Sequence, residues 1–255
     1  MGGGDEVKKS ICFLGILLMI APAGATDQKN SKETEKKGSQ IIDSGSFGIF
    51  IAGKRVGTES FKIEQGPEIG TITAEIKVND GDSRAEQSSE MQIGRDGTLR
   101  SYRWHSNSPE KADAFIEAKD QLLVEHLTPA DQKKTDVPHV LPSSTVILDD
   151  NFFSHREVLI WRYLATGCLR QDNRVVCDHP SQFGILVPHQ HAAGTVTVQL
   201  LGRDKIMVKG VEQELNKIKL DADGVQWLLW VTDPEHGYKV IKMAIPADQV
   251  EVIRD

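Results

Sequence analysis

His189-Gln190-His191 holds the pair of side chains most readily pictured at a metal. On an extended chain, residues two apart face the same side, so both imidazoles could point together. With His179 upstream and a carboxylate or water as the fourth ligand, the three could complete zinc's tetrahedron. That would make the chain a metal-dependent hydrolase. Exposed loop histidines show the same spacing, and no other motif calls for a cofactor. Cys168 and Cys177 enclose eight residues, a spacing that no common zinc site uses. In an oxidising compartment they form a disulfide closing a hairpin or loop around Gln171-Asp172-Asn173.

Other reactive residue types have plainer explanations. Ser143-Ser144 lies in a Pro-rich stretch without the G-x-S-x-G context of a nucleophile elbow. Asp149-Asp150 suits a helix N-cap better than an acid/base pair. Asp80-Gly81-Asp82 and Asp221-Ala222-Asp223-Gly224 begin like calcium loops, yet neither has the glutamate at the required distance, and turn chemistry explains both.

The N-terminus reads as an address. Lys8 and Lys9 precede the apolar run Ile11–Ala21, and Ala23-Gly24-Ala25 offers an A-x-A cleavage site, the order of a secretory signal spanning 1–25. As a helix, Ile11 to Ala25 would rise about 22 Å, short of a ~30 Å hydrocarbon core. Cys12 sits inside the apolar run, where an N-terminal lipid anchor is not expected. The expected location is periplasmic or secreted, with no membrane-spanning segment after cleavage. Residues 26–45 are polar, mix both charge signs and read as a disordered tether. A net charge of −7 without a long basic run excludes nucleic acid as a partner.

From Ser46 the period is two. Phe47, Ile49 and Ile51, then Phe61 and Ile63, then Ile72, Ala74, Ile76 and Val78 alternate with smaller or polar neighbours. Asn79–Asp82 and Arg95-Asp96-Gly97 are turn signals. Strands are expected at 84–93, 98–105, 112–118 and 121–127. The stretch 128–144, with three prolines, interrupts the rhythm. One helix is expected over about 151–165, capped from Asp149, Asp150 or Asn151 and stopped at Gly167. Strands resume at 195–201 and 205–209, with Gly202-Arg203-Asp204 as a turn, then at 215–220, 225–232, 238–245 and 250–253. No βαβ pattern occurs, so the sheet is antiparallel, and 46–255 reads as one mainly β domain.

The opening Gly45-Ser46-Phe47 and Gly53-Lys54-Arg55-Val56-Gly57-Thr58-Glu59-Ser60-Phe61, the apolar helix after an Asp, and the closing Trp230, Pro234–Lys242 and Val250–Ile253 strings resemble uncharacterised periplasmic β-rich domains of bacteria. Those domains are similar in shape to the lipoprotein-localisation carriers. The resemblance covers about 46–255. It implies a strongly curved antiparallel half-barrel with one helix on its concave face, and an apolar concavity that receives acyl chains. It implies no particular binding residue.

The bulky candidates to line that concavity are Trp104, Phe152, Phe153, Leu159, Trp161, Trp227 and Trp230. They would either fill the core or face a ligand. Three functions stay open: a non-enzymatic binder of a lipid-like or apolar ligand or of an envelope protein, the hydrolase centred on His179, His189 and His191, and a structural envelope component.

Overall fold

A computed structural model describes residues 38–81, 83–119, 122–129, 134–141, 145–171, 174–222 and 224–255. The leader expected at 1–25, residues 26–37 of the tether and Ser143-Ser144 lie outside the described residues. The chain forms β1 (Gln40–Ile51), β2 (Lys54–Gln65), β3 (Ile69–Asp80), β4 (Ser83–Gly94) and β5 (Leu99–Ser108). It continues with β6 (Ala112–Lys119), β7 (Leu122–Pro129), β8 (Thr135–His139) and β9 (Val146–Ile147). Helix α1 (Ser154–Gly167) leads into β10 (Leu169–Gln171) and β11 (Arg174–Val176). Then come β12 (Ser181–Val187), β13 (Ala192–Val208), β14 (Val211–Ala222), β15 (Val225–Val231), β16 (Val240–Ile245) and β17 (Val250–Arg254).

All strands except β10 and β11 join one sheet, ordered β8 to β1 and then β17 back to β12, with β9 at the far edge. Every pairing is antiparallel except the short β9–β12 contact. The ends β8 and β9 are not paired with each other, so the sheet curves without closing into a barrel. The first and last strands meet in its middle, with Phe47 opposite Arg254 and Ile51 opposite Val250. The turns alternate between two rims. Those after β1, β3, β12, β14 and β16 lie on one rim, and those after β2, β4 and β15 on the other.

Period-two alternation puts Phe47, Phe61, Ile63, Ile72, Ile76, Met91, Tyr102 and Ile116 on the inner face. There they meet Phe152, Leu159, Ile160 and Tyr163 in one core. The helix answers the sheet's apolar face, as an amphipathic segment set among strands must. Among the described residues no helix is long and apolar enough to cross a membrane.

Several boundaries differ from the sequence reading, each for a physical reason. β1 begins at Gln40, within the expected tether, because buried Asp43 is held there by Lys239 and Arg254. β8 forms inside the Pro-rich stretch, where Pro138 is tolerated on an edge strand. Gly202 does not turn the chain. At φ +110° it takes up a register shift, and β13 runs on past it, so Arg203 faces Asn216. β12 lies between the cysteine loop and residue 195, where no strand was expected. The helix starts at Ser154 instead of Asn151, for a reason that lies in its cap.

Candidate functional site

The cap comes from another strand. Glu59 on β2 points inward and accepts from the backbone N–H groups of Phe153 (2.6 Å) and Ser154 (3.0 Å). A carboxylate at a helix N-terminus satisfies two orphan donors and meets the favourable end of the dipole. Burial nonetheless dominates and pushes the Glu59 carboxyl up to about 7, against the pull of Ser154, Phe153 and Arg156. The next four residues, Ser154 to Glu157, are polar and buried. Burial drives the His155 imidazole down to about 4, so it is neutral at pH 7, with its Nε2 3.5 Å from the Ser89 hydroxyl.

Asp149, expected as the helix cap, serves another purpose. Its buried carboxylate accepts from the Tyr102 hydroxyl (2.7 Å) and the Asn151 backbone N–H (3.0 Å), and it binds His189 Nδ1 (2.8 Å). Burial would raise Asp149, but the His189 hydrogen bond and charge win and hold it below the usual carboxylate range. His189 is raised in turn, since Asp149 outweighs the effect of its own burial. Buried Glu125 on β7 is held from two sides, by His139 on β8 (2.9 Å) and His191 in the β12–β13 turn (3.1 Å).

His189 and His191 therefore do not converge. Pro188–Gln190 is a 3₁₀ turn with His191 left-handed after it, not an extended chain, and the two rings reach different carboxylates. His179 is exposed. Among the described residues no three His, Cys, Asp or Glu side chains are grouped to hold a metal ion. Cys168 and Cys177 are joined by a disulfide that closes the β10–β11 hairpin.

Two apolar chambers flank α1, one toward each rim. The larger, about 420 Å³, lies between the start of α1 and the inner face of β12–β15, where the turns after β12, β14 and β16 meet. Phe153 and Trp227 form its aromatic wall, with ring centroids 6.0 Å apart, and Val187, Val196, Leu220 and Ile245 extend it. Its polar members are Arg156 inside and Asp150 and Gln190 at the exposed edge. The second chamber, about 310 Å³, lies under the other half of the helix, between Trp161, Val158 and the β4–β5 turn.

The seven aromatic and aliphatic candidates thus separate. Phe153 and Trp227 line the larger chamber and Trp161 the smaller, where its Nε1 donates to the Tyr238 carbonyl. Phe152 and Leu159 are wholly buried core. Trp104 is half-buried and donates to Gln87. Trp230 falls on the opposite face, since it alternates with Trp227 and Leu229. It packs there with Leu215 and Ala244 beneath Lys217 and Lys242. The residues that sequence reading passed over are Glu59, Glu125 and Arg156. The first two sit at inward positions of alternating strands, which is the signal that could have marked them.

An open groove of about 660 Å³ lies on the outer face of β3–β7, with Trp104 among its lining residues. In it Phe115 stacks between the Arg103 guanidinium (4.7 Å) and the His126 ring (5.9 Å). Hydrogen bonds to Asp113 and Asp136 raise the His105 and His126 imidazoles respectively.

No family model matches the chain, and no curated protein is detectably similar to it. Among solved structures, a β-barrel-like protein from Brucella abortus, of a domain of unknown function (DUF1849), is similar at 10% identity and a TM-score of 0.49. The match covers 83% of this chain and 94% of that one.

Proposed function

We propose that this chain is an exported, non-enzymatic binder that houses a lipid-like or apolar ligand between α1 and the concave face of its sheet. One observation carries the reading: the chamber of about 420 Å³ walled by Phe153, Trp227, Val187, Val196, Leu220 and Ile245. Its size lies in the ordinary range of ligand pockets. Water there would find few hydrogen-bond partners, whereas an alkyl chain would gain contact on every side. The polar groups at one edge suit an amphiphile with its head at the rim. The leader-like N-terminus and the Cys168–Cys177 bond support an oxidising compartment outside the cytosol.

Native mass spectrometry of the protein purified gently from the cell envelope tests this reading. The expected result is a lipid adduct, diminished in Ala222→Phe, which places a ring at the chamber's edge. An adduct-free mass in both proteins, even after incubation with envelope lipids, overturns it.

A further inference from the structure

We propose that the larger chamber takes a single-chain amphiphile with a carboxylate head, and that this head displaces Asp150 from the Arg156 guanidinium. The inference rests on the binder reading above and specifies its ligand.

Arg156 is 1% exposed and belongs to the chamber wall, an unusual place for a cation. Its guanidinium lies 4.1 Å from the centroid of the Trp227 ring, so its face is spent on the aromatic and its edges remain for hydrogen bonds. One nitrogen, Nη1, donates to the carbonyls of Phe152 (3.2 Å) and Asp149 (3.4 Å). Nη2 reaches a single oxygen of Asp150 at 3.3 Å. Nε–H is buried with no acceptor among the described residues. The edge shared by Nε and Nη2 is one that a carboxylate can grip with both oxygens. Asp150 uses it with one oxygen, at long range.

The neighbouring charges are already engaged. Asp149 is taken by Tyr102 and His189, and Glu59 by the start of the helix. Asp150 differs from both. Its side chain is 46% exposed at the chamber's edge, and its second oxygen is held by Gln190 at 2.8 Å. It behaves as a movable substitute for a ligand's anion: it partly neutralises Arg156, and its exposure lets it swing into solvent. A fatty-acid-like molecule would put its chain between Phe153 and Trp227 and its head on the Nε–Nη2 edge, with Gln190 beside it.

Titration calorimetry of the full chain with dodecanoate and dodecanol, below micellar concentrations, tests this. The wild type is expected to prefer the acid by roughly tenfold or more, the usual worth of a charge-assisted pair. Asp150→Asn removes the competing anion and should tighten dodecanoate several-fold, leaving dodecanol unchanged. Arg156→Gln should erase the preference. Should that variant fail to fold, Asp150→Asn decides alone. Equal affinity for acid and alcohol, or no gain in Asp150→Asn, overturns the carboxylate inference and leaves the apolar binder standing. If neither compound binds, both fall together.

Discussion

Glu59 and His155 show what burying single ionisable groups does to the molecule. Held at about 7 against an ordinary 4.5, Glu59 binds its proton more tightly folded than unfolded. The stability linked to it is fully present below pH 4.5 and falls by about 3 kcal/mol as pH rises to about 7. His155, at about 4 against 6.5, does the reverse: stability rises by about 3 kcal/mol between those values. The two slopes nearly cancel, so a pH scan of the wild type hides both. Urea unfolding across pH should separate them. The wild-type-minus-Glu59→Gln difference should fall as pH rises, and the wild-type-minus-His155→Gln difference should climb. Two flat differences would show that neither group titrates in isolation from solvent. Half of this was readable beforehand: Glu59 shares its inward phase with Phe61 and Ile63. Its partner was not, because Phe153 lies 94 residues away in sequence and only the tertiary fold joins them.

Among the elements, the helix and the disulfide hairpin were the most legible, the first from its apolar stripe and the second from cysteine spacing and a leader-like start. Their ends were less so. A cap supplied by another strand leaves no local trace, so the start of α1 fell three residues inside the expected one, at Ser154. β8 and β12 were hidden because an edge strand can carry a proline, and because a strand beside a disulfide loop inherits the loop's polar signals. The β10–β11 hairpin is not part of the main sheet. Its disulfide should therefore act as a local staple closing a short loop, worth about 2–3 kcal/mol. Cys168→Ala with Cys177→Ala should lower the urea midpoint accordingly and leave the far-ultraviolet spectrum unchanged. Loss of the strand signal would show that the hairpin organises the sheet around it.

The whole molecule consists of two meandering arms joined where β1 meets β17, a pairing across about two hundred residues of chain. Such distant closure must be held by more than the ladder itself, because loop entropy opposes it. Arg254 supplies that hold. Its guanidinium lies 5.1 Å from each of the stacked Phe47 and Phe61 rings, and its Nε donates to the Val240 carbonyl. Nη2 reaches buried Asp43 (2.8 Å) and buried Glu157 (2.6 Å), so one side chain ties β1, β16, β17 and α1 together. Burial would raise Asp43, but hydrogen bonds from Glu157, Lys239 and Arg254 prevail and hold it at about 2. Its contribution is thus present above pH 3.8 and is lost only as pH falls toward 2. Arg254→Met keeps the apolar stem but takes the guanidinium from two buried acids, leaving Asp43 with Lys239 alone as its cation and Glu157, whose carboxyl burial pushes well above the usual range, with the Val240 N–H. It should cost about 3–5 kcal/mol, the usual penalty for breaking a buried ion pair from one side. If that penalty comes from orphaned charge and not from lost packing, neutralising the acids must relieve it. The triple variant with Asp43→Asn and Glu157→Gln should recover most of the loss in urea unfolding at neutral pH. A triple variant no more stable than Arg254→Met would mean that Arg254 joins the arms by shape, through its stack on Phe47 and Phe61.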